Sequence, residues 1–278
     1  MAGMLYLVPT PIGNLGDVSE RARETLEQAD FIAAEDTRVT LKLLNHLGIK
    51  KSLVSYYEHN KAFKGDRIVE RILAGETCAQ VSDAGSPAIS DPGEDLVKQC
   101  VAAGIRVCAI PGPCAAITAL SISGQSTGRF CFEGFLSTSK KSRREHLESL
   151  KKEQRTMIFY EAPHKLAATL QDLLETFGED RPISLCRELT KLHEEVIRTN
   201  LKGAVEYYEE TAPKGEFVLI VAGAPEETEE AASPEDAASR VAALMAQGLS
   251  RKDAVKQTAQ ELGLPKNTVY EAALKIQD

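Results

Sequence analysis

The sequence predicts an α/β protein: two α/β domains with a cleft between them, at 1–112 and 113–224, then an acidic linker and a small helix-turn-helix module at 225–278. Three observations predict it. In the first half, short apolar runs alternate with helical patterns, as right-handed crossovers in a mostly parallel sheet require. After residue 123 two strand-like runs follow each other with no helix between them, which makes the second sheet mixed. The stretch 222–236 (AGAPEETEEAASPED) is acidic and contains Pro, and only helical patterns follow it.

The first-half strands fall at 4–8 (MLYLV), 31–34 (FIAA), 52–56 (SLVSY), 77–82 and 106–110 (RVCAI). Helices are expected between them at 19–29, 38–47, 61–74 and 92–103. The last three stop before Gly48, Gly75 and Gly104, since glycine readily adopts the left-handed conformation that ends a helix. Asp91-Pro92 with Glu94 reads as the N-cap, first helical position and capping-box partner of the helix at 92–103. After a helix at 113–123, strands are expected at 130–135, 156–160, 183–187, 194–199 and 216–222, with helices at 142–152, 164–177 and 201–209. In the tail, a helix at 235–247 precedes one capped by Ser250 and ended by Gly263, with Ala254, Val255, Ala259 and Leu262 as its buried stripe. A last helix opens at Pro265 and buries Val269, Ala273 and Ile276.

Composition narrows the class. Across 278 residues, 43% hydrophobic and 27% charged content describes an ordinary globular chain. No apolar run is long enough to span a bilayer, and MAGMLYLVPT lacks the charged start and apolar core of a signal peptide, which predicts a cytoplasmic location. The six cysteines form no C-x-x-C pair and sit mostly in apolar patterns, so reduced core thiols are expected, with no metal. The net charge of −8 is uneven: 222–236 holds six acids and no base, and 237–278 has a net of +2. A polyanionic partner is compatible with local clusters of cations.

In a parallel sheet, ligands bind beyond the carboxyl ends of the strands. The segments leaving those ends are Pro9-Thr-Pro-Ile-Gly-Asn14, Glu35-Asp-Thr-Arg38, Tyr57-Glu-His-Asn60, Asp83-Ala-Gly-Ser-Pro87 and Pro111-Gly-Pro-Cys-Ala115. Glu161-Ala-Pro-His164 and Glu188-Leu-Thr-Lys191 follow strands of the second half. One such loop is ordinarily just a turn; seven together point to an active-site cleft. The G-x-G-x-x-G and Walker A patterns are absent, which argues against a nicotinamide oxidoreductase and a P-loop enzyme.

The motifs VPTPIGNLGD, AEDTR, SYYEHN, VSDAGSPAISDPG, IPGP, FYEAPHK and RELTKLHEE, in this order, resemble the ribosomal RNA small subunit methyltransferase I family. This family belongs to the tetrapyrrole-methylase-like class of S-adenosylmethionine enzymes. The likeness covers about residues 4–224, and the tail is similar to the family's C-terminal extension. Cys114, Lys61 and Lys165 depart mildly from the commoner pattern. The resemblance implies 2′-O-methylation of a cytidine in the decoding region of small-subunit ribosomal RNA, a cofactor cleft between two α/β domains, and a homodimer. It implies that Asp83, Ser86 and Pro87, Cys114, Ala115 and Ala116, and Tyr160 and Glu161 hold S-adenosylmethionine, with Pro9, Leu189 and Glu216 at the edges. Rival readings are carbon methylation of a tetrapyrrole and a ligand-sensing DNA-binding regulator. The basic loop and the tail argue against a small-molecule substrate.

A ribose hydroxyl is a poor nucleophile while protonated, so a general base is expected. Asp36, Glu58, His59, Glu161 and His164 all follow strands at the cleft edge; Asp36 and His59 are favoured. For RNA, Arg38 is suited either to phosphate or to a neighbouring acid such as Glu35. The run Ser139-Lys-Lys-Ser-Arg-Arg144 places Lys140, Lys141, Arg143 and Arg144 beside the cleft, and Lys266 and Asn267 open the last helix with exposed donors.

Overall fold

In a computed structural model the chain forms two compact units, Met1–Ala224 and Pro225–Asp278, with residues 3–57, 61–225 and 234–274 described. The first unit opens with β1 (Met4–Leu7), α1 (Glu20–Gln28), β2 (Phe31–Ala34), α2 (Thr37–Leu47), β3 (Ser52–Ser55), α3 (Lys61–Leu73), β4 (Cys78–Val81), α4 (Glu94–Ala102) and β5 (Arg106–Ala109). The strands form one sheet in the order β3-β2-β4-β1-β5, every pair parallel. Side chains alternate between its two faces. Ile32 and Ala34 pack with Ala22 and Leu26 of α1 and Leu44 of α2; Phe31 and Ala33 pack with Ile68 and Ile72 of α3 and Leu96 and Cys100 of α4. Both faces are covered, which is why FIAA reads as apolar at every position.

This order positions the site. β1 and β4 are neighbours, yet α1 leaves for one face and α4 for the other. The loops after β1 and β4 therefore diverge, and a crevice opens where they part.

A second five-stranded sheet follows. Its elements are α5 (Ala115–Ser123), β6 (Phe130–Phe135), α6 (Lys140–Ser149), β7 (Thr156–Glu161), α7 (Pro163–Phe177), β8 (Pro182–Arg187), β9 (Glu195–Asn200), α8 (Leu201–Glu210) and β10 (Phe217–Val221). The order is β6-β7-β10-β8-β9, with β6 parallel to β7 and the other pairs antiparallel, so this sheet is mixed. One face packs on α6, α7 and α8 through Leu147, Leu166, Leu170, Leu201 and their neighbours. The other packs on α5 through Ala116, Ala119 and Leu120. Antiparallel register pairs Phe217 with both Glu161 and Arg187, bringing the start of β10 to the edge where β7 and β8 end.

Two local expectations are corrected. The helix expected from Pro92 starts at Glu94, capped by Gly93 at φ 147° without a side-chain cap, so Asp91 does not cap it. The basic run is not a loop but the first turns of α6, whose N-cap is Ser139. Helical spacing turns Arg143 inward, where its Nε donates to Asp172 Oδ2 at 2.7 Å; Arg144 Nε donates to Oδ1 of the same carboxylate at 2.8 Å and the residue also pairs with Glu175. These two guanidiniums are committed to α7, while Lys140 and Lys141 stay exposed.

The second unit comprises α9 (Pro234–Ala246), α10 (Arg251–Glu261) and α11 (Lys266–Leu274). They bury Ala237, Val241, Leu244, Ala254, Val255, Ala259, Val269, Ala272 and Ala273 together. Ser250 Oγ accepts from the Asp253 N–H at 3.2 Å, the expected cap. Leu262 is only partly buried, and Ile276 lies outside the described residues. The cysteines are free thiols; burial pushes Cys78 up to about 12, leaving it inert.

The Arg143–Asp172 pair yields a stability prediction. Asp172 is 3% exposed, and removing it strands a buried guanidinium. Asp172→Ala is expected to cost about 3 kcal/mol in urea unfolding, whereas Lys140→Ala stays within about 0.5 kcal/mol because that side chain is exposed and makes no ion pair among the described residues.

Candidate active site

The crevice at the switch point is a cleft of about 440 Å³, within the range of small-molecule sites. Two short hydrogen-bonded links shape it. Thr10 and Gly85 exchange backbone bonds of 2.9 and 3.0 Å, and Thr10 Oγ1 donates to the Ser82 carbonyl at 3.1 Å. Gly85 holds φ 84°, and a Cβ there would also press on Ile12 at 3.3 Å, so glycine is required. The loop is strained further on, with Ala88 at φ 68° and Ser90 at φ 61°. Gln80, fully buried on β4, donates through Nε2 to the Pro92 carbonyl at 2.7 Å and pins the far end.

Of the residues expected at the cofactor, Asp83, Ser86, Cys114, Ala115, Tyr160, Glu161, Leu189 and Glu216 line this cleft. Pro9 and Pro87 do not; they line a separate recess behind the loop. Ala116 is also absent from the wall, because its N–H donates to Tyr160 Oη at 3.1 Å. Ser86 Oγ donates to the Pro113 carbonyl at 3.0 Å, tying the β4 loop to the N-terminus of α5. Glu161 is buried with both oxygens engaged: Oε1 accepts from the Ala162 N–H at 2.8 Å and Oε2 from Thr169 Oγ1 at 2.6 Å. Tyr160 stands edge-on to Phe132 and Phe135 at 5.1 and 5.4 Å, and burial pushes its hydroxyl up to about 12. It stays a neutral donor or acceptor.

Carboxylates dominate the polar wall. Asp83 Oδ1 accepts from the Asp36 N–H at 3.0 Å, and Glu35 Oε2 accepts from the Asp83 N–H at 3.4 Å. Burial raises Glu35, helped by the charges of Asp83 and Asp36. Asp91, freed from capping, also lines the cleft; burial first, then the charges of Glu35 and Asp83, push it up to about 6. The DAGSPAISDPG segment carried this residue in plain view, but its local pattern matched a helix cap.

The favoured base Asp36 has a different task. Its Oδ1 accepts from the Arg38 N–H at 2.8 Å as the N-cap of α2, and its Oδ2 pairs with Arg38 Nη2 at 2.6 Å. Arg38 holds it at about 2, which makes it a poor proton acceptor near neutrality. The same pair answers the alternatives for Arg38, whose partner is Asp36 and not Glu35. Glu58 and His59 lie outside the described residues. No group of side chains suited to a metal occurs among the described residues, and no helix among them is long and apolar enough to cross a membrane.

Comparison with known proteins completes the picture. The family described as Tetrapyrrole (Corrin/Porphyrin) Methylases matches residues 4–205, and the RsmI C-terminal HTH domain matches residues 231–277. Among solved structures, diphthine synthase superposes with a TM-score of 0.60 at 13% identity, covering 79% of this chain and 90% of that one. Uroporphyrin-III C-methyltransferase from Thermus thermophilus, complexed with S-adenosyl homocysteine, superposes at 0.56 with 15% identity, covering 79% and 97%. At such identity only the fold is shared. Ribosomal RNA small subunit methyltransferase I from Synechocystis sp. is 49% identical over 275 residues, 99% of each chain; that from Bacillus subtilis is 46% identical over 274 residues, 97% of this chain and 94% of its own. Identity of this size runs through the cleft loops and on into the helical tail, and on that basis the chain belongs to the ribosomal RNA small subunit methyltransferase I family.

Proposed function

We propose that this protein transfers a methyl group from S-adenosylmethionine to the ribose 2′-hydroxyl of a cytidine in the decoding region of small-subunit ribosomal RNA. The resemblance that supports the cytidine and its region also supports action as a homodimer in the cytoplasm. The observation that carries the oxygen chemistry is Asp91, a half-buried carboxylate of raised proton affinity in the wall of the cleft.

The cleft suits the cofactor. Cys114 caps α5 without a side-chain bond; with the Ala116 N–H spent on Tyr160, the Ala115 N–H in the cleft wall is left for a carboxylate. Glu35, Asp83 and Glu216 offer acceptors for an ammonium and ribose hydroxyls, and Ile12, Leu189 and Val218 offer apolar wall. When bound, S-adenosylmethionine supplies a methyl carbon on a positively charged sulfur that leaves as a neutral thioether. The chain's own work is to align the acceptor oxygen for in-line attack and to take its proton. As the oxygen–carbon bond forms, the hydroxyl proton passes to an Asp91 oxygen. A carboxylate near 6 is mostly ionised at neutrality and still basic enough to be useful. Asp36, near 2, is neither raised nor free.

The tail supports RNA docking as an independent unit. Lys266 and Asn267 are exposed at the first turn of α11, where helix N–H groups also face outward.

These outcomes test the reading. RNA with a 2′-deoxy sugar at the target position accepts no methyl; unchanged incorporation would move the chemistry to a base. For the wild type, kcat/KM rises about tenfold per pH unit below about 6 and levels above it, because the base must be deprotonated. Asp91→Asn lowers kcat by about a hundredfold or more and removes that inflection; an unaltered pH profile would remove Asp91 from the proton transfer. Deleting 225–278 raises KM for RNA and leaves S-adenosylmethionine affinity in calorimetry unchanged, and Lys266→Glu acts in the same direction, more strongly at low salt. Unaltered RNA kinetics in the truncated protein would assign the tail another role.

A further inference from the structure

A second recess, of about 290 Å³, opens on the other side of the Ser82–Asp83 corner. Leu15 and Pro11, from the loop after β1, face Val39 and Leu43 of α2 across it. Leu15 and Val39 are 48% and 39% exposed, so about half of each apolar side chain is left open to solvent. The rim of this recess is basic. Lys42 and His46 stand one turn apart on α2, exposed, and Arg38 precedes them by another turn on the same stripe. Among the described residues, neither Lys42 nor His46 takes part in an ion pair.

Thr40 lines the recess as well, 97% buried, since only 3% of it is exposed. A threonine inside a helix ordinarily bonds its hydroxyl to the carbonyl four residues back. Here the Asp36 carbonyl receives the Thr40 N–H at 3.1 Å, and Thr40 Oγ1 has no partner among the described residues. That oxygen has almost no accessible surface, so its missing partner is an internal cost of the helix and not a group the recess offers. The Thr10 hydroxyl nearby is already spent on Ser82.

We propose that this recess holds one nucleotide of the RNA substrate, its base against the apolar walls of Leu15 and Val39 and its phosphates on Lys42 and His46. A planar ring with an anionic tail is the chemistry that apolar walls and a basic rim recognise together. Asp83 belongs to both recesses. A nucleotide held here is therefore one wall away from the cofactor cleft, and the chain can enter that cleft with its sugar leading. The basic stripe also resolves how an acidic protein holds a polyanion: the carboxylates stay inside the cleft and the cations stand on its rim. The inference rests on RNA being the substrate, as proposed above.

The test uses the full chain and small-subunit RNA with labelled S-adenosylmethionine. Lys42→Ala with His46→Ala changes two exposed side chains and leaves the core untouched. We expect KM for RNA to rise about tenfold, its salt dependence to flatten by about two phosphate contacts, and the Kd for S-adenosylmethionine to stay within twofold. Val39→Ser, at an exposed position of the apolar wall, raises KM about threefold with the same cofactor affinity. If the wild type methylates RNA and the double variant matches it in KM and salt slope, the recess assignment is overturned while the RNA reading stands. An altered oligomeric state in gel filtration with normal RNA kinetics overturns it too, making the recess a contact between copies. No transfer to RNA by the wild type would overturn both readings.

Discussion

The site depends on a bond pattern that the parallel sheet itself cannot supply. The loops after β1 and β4 must diverge, because their helices lie on opposite faces, and diverging loops do not hold a shape unaided. The paired backbone bonds between Thr10 and Gly85 close them together just past the sheet edge. From that clasp the rest follows in sequence. Ser82 and Asp83 become the corner between two recesses, Ser86 reaches the Pro113 carbonyl, and the chain is forced through left-handed conformations at Ala88 and Ser90 before Gln80 catches it at Pro92. Strain of this kind persists only where the surroundings over-determine the backbone. It delivers Asp91 to the cleft and removes it from the helix end. The second sheet comes close to the same loop: a Cβ at Gly134, at a bulge in β6, would meet Ser90 Oγ at 3.1 Å.

Two aspartates in one site show how environment divides a single chemistry. Asp36 is held at about 2 by a guanidinium and backbone N–H groups that favour its charged form. Asp91 is driven to about 6 by burial and by the neighbouring Glu35 and Asp83 charges, which disfavour it. The first is fixed as an anion and serves geometry, capping α2 and orienting Asp83 through its N–H. The second can exchange a proton near neutrality. Sites that push like groups apart in this way separate structural from chemical roles.

How much of this was legible in the sequence depended on the range of the interaction that decides each feature. The strands and helices of the first half, the glycine stops after α2 and α4, the mixed second sheet and the capped tail helices rest on local patterns, and the structure carries them. Six of the seven polar loops at the strand ends put residues into one cleft, those of the first sheet because parallel strands align their carboxyl ends; Glu58, His59 and Asn60 of the seventh lie outside the described residues. What was not legible is set by contacts across the chain. The Asp91-Pro92-Gly-Glu94 pattern satisfies every local requirement of a cap; only the pull of Gln80 on Pro92 shows that the helix starts later. SKKSRR reads as solvated charge until α6 turns Arg143 toward Asp172, 29 residues on. Arg38 chose between two adjacent acids by rotamer, which a sequence does not state.

The distribution of charge follows from the chemistry asked of the cleft. Carboxylates are needed inside it, to meet an ammonium and to accept a proton, and they would repel a phosphate brought among them. RNA can therefore approach only with its backbone held outside. Cations on the rim do this when they are exposed and unspent, which distinguishes Lys42 and His46 from Arg143 and Arg144, whose charge is consumed by Asp172. On the proposed reading, such an arrangement presents a sugar to the cleft while the phosphates stay in water, with a ribose hydroxyl projecting between them. The acidity of the chain as a whole is thus no obstacle to a nucleic-acid substrate. The proposed contact is a narrow basic stripe beside Asp83, the residue that lines both recesses.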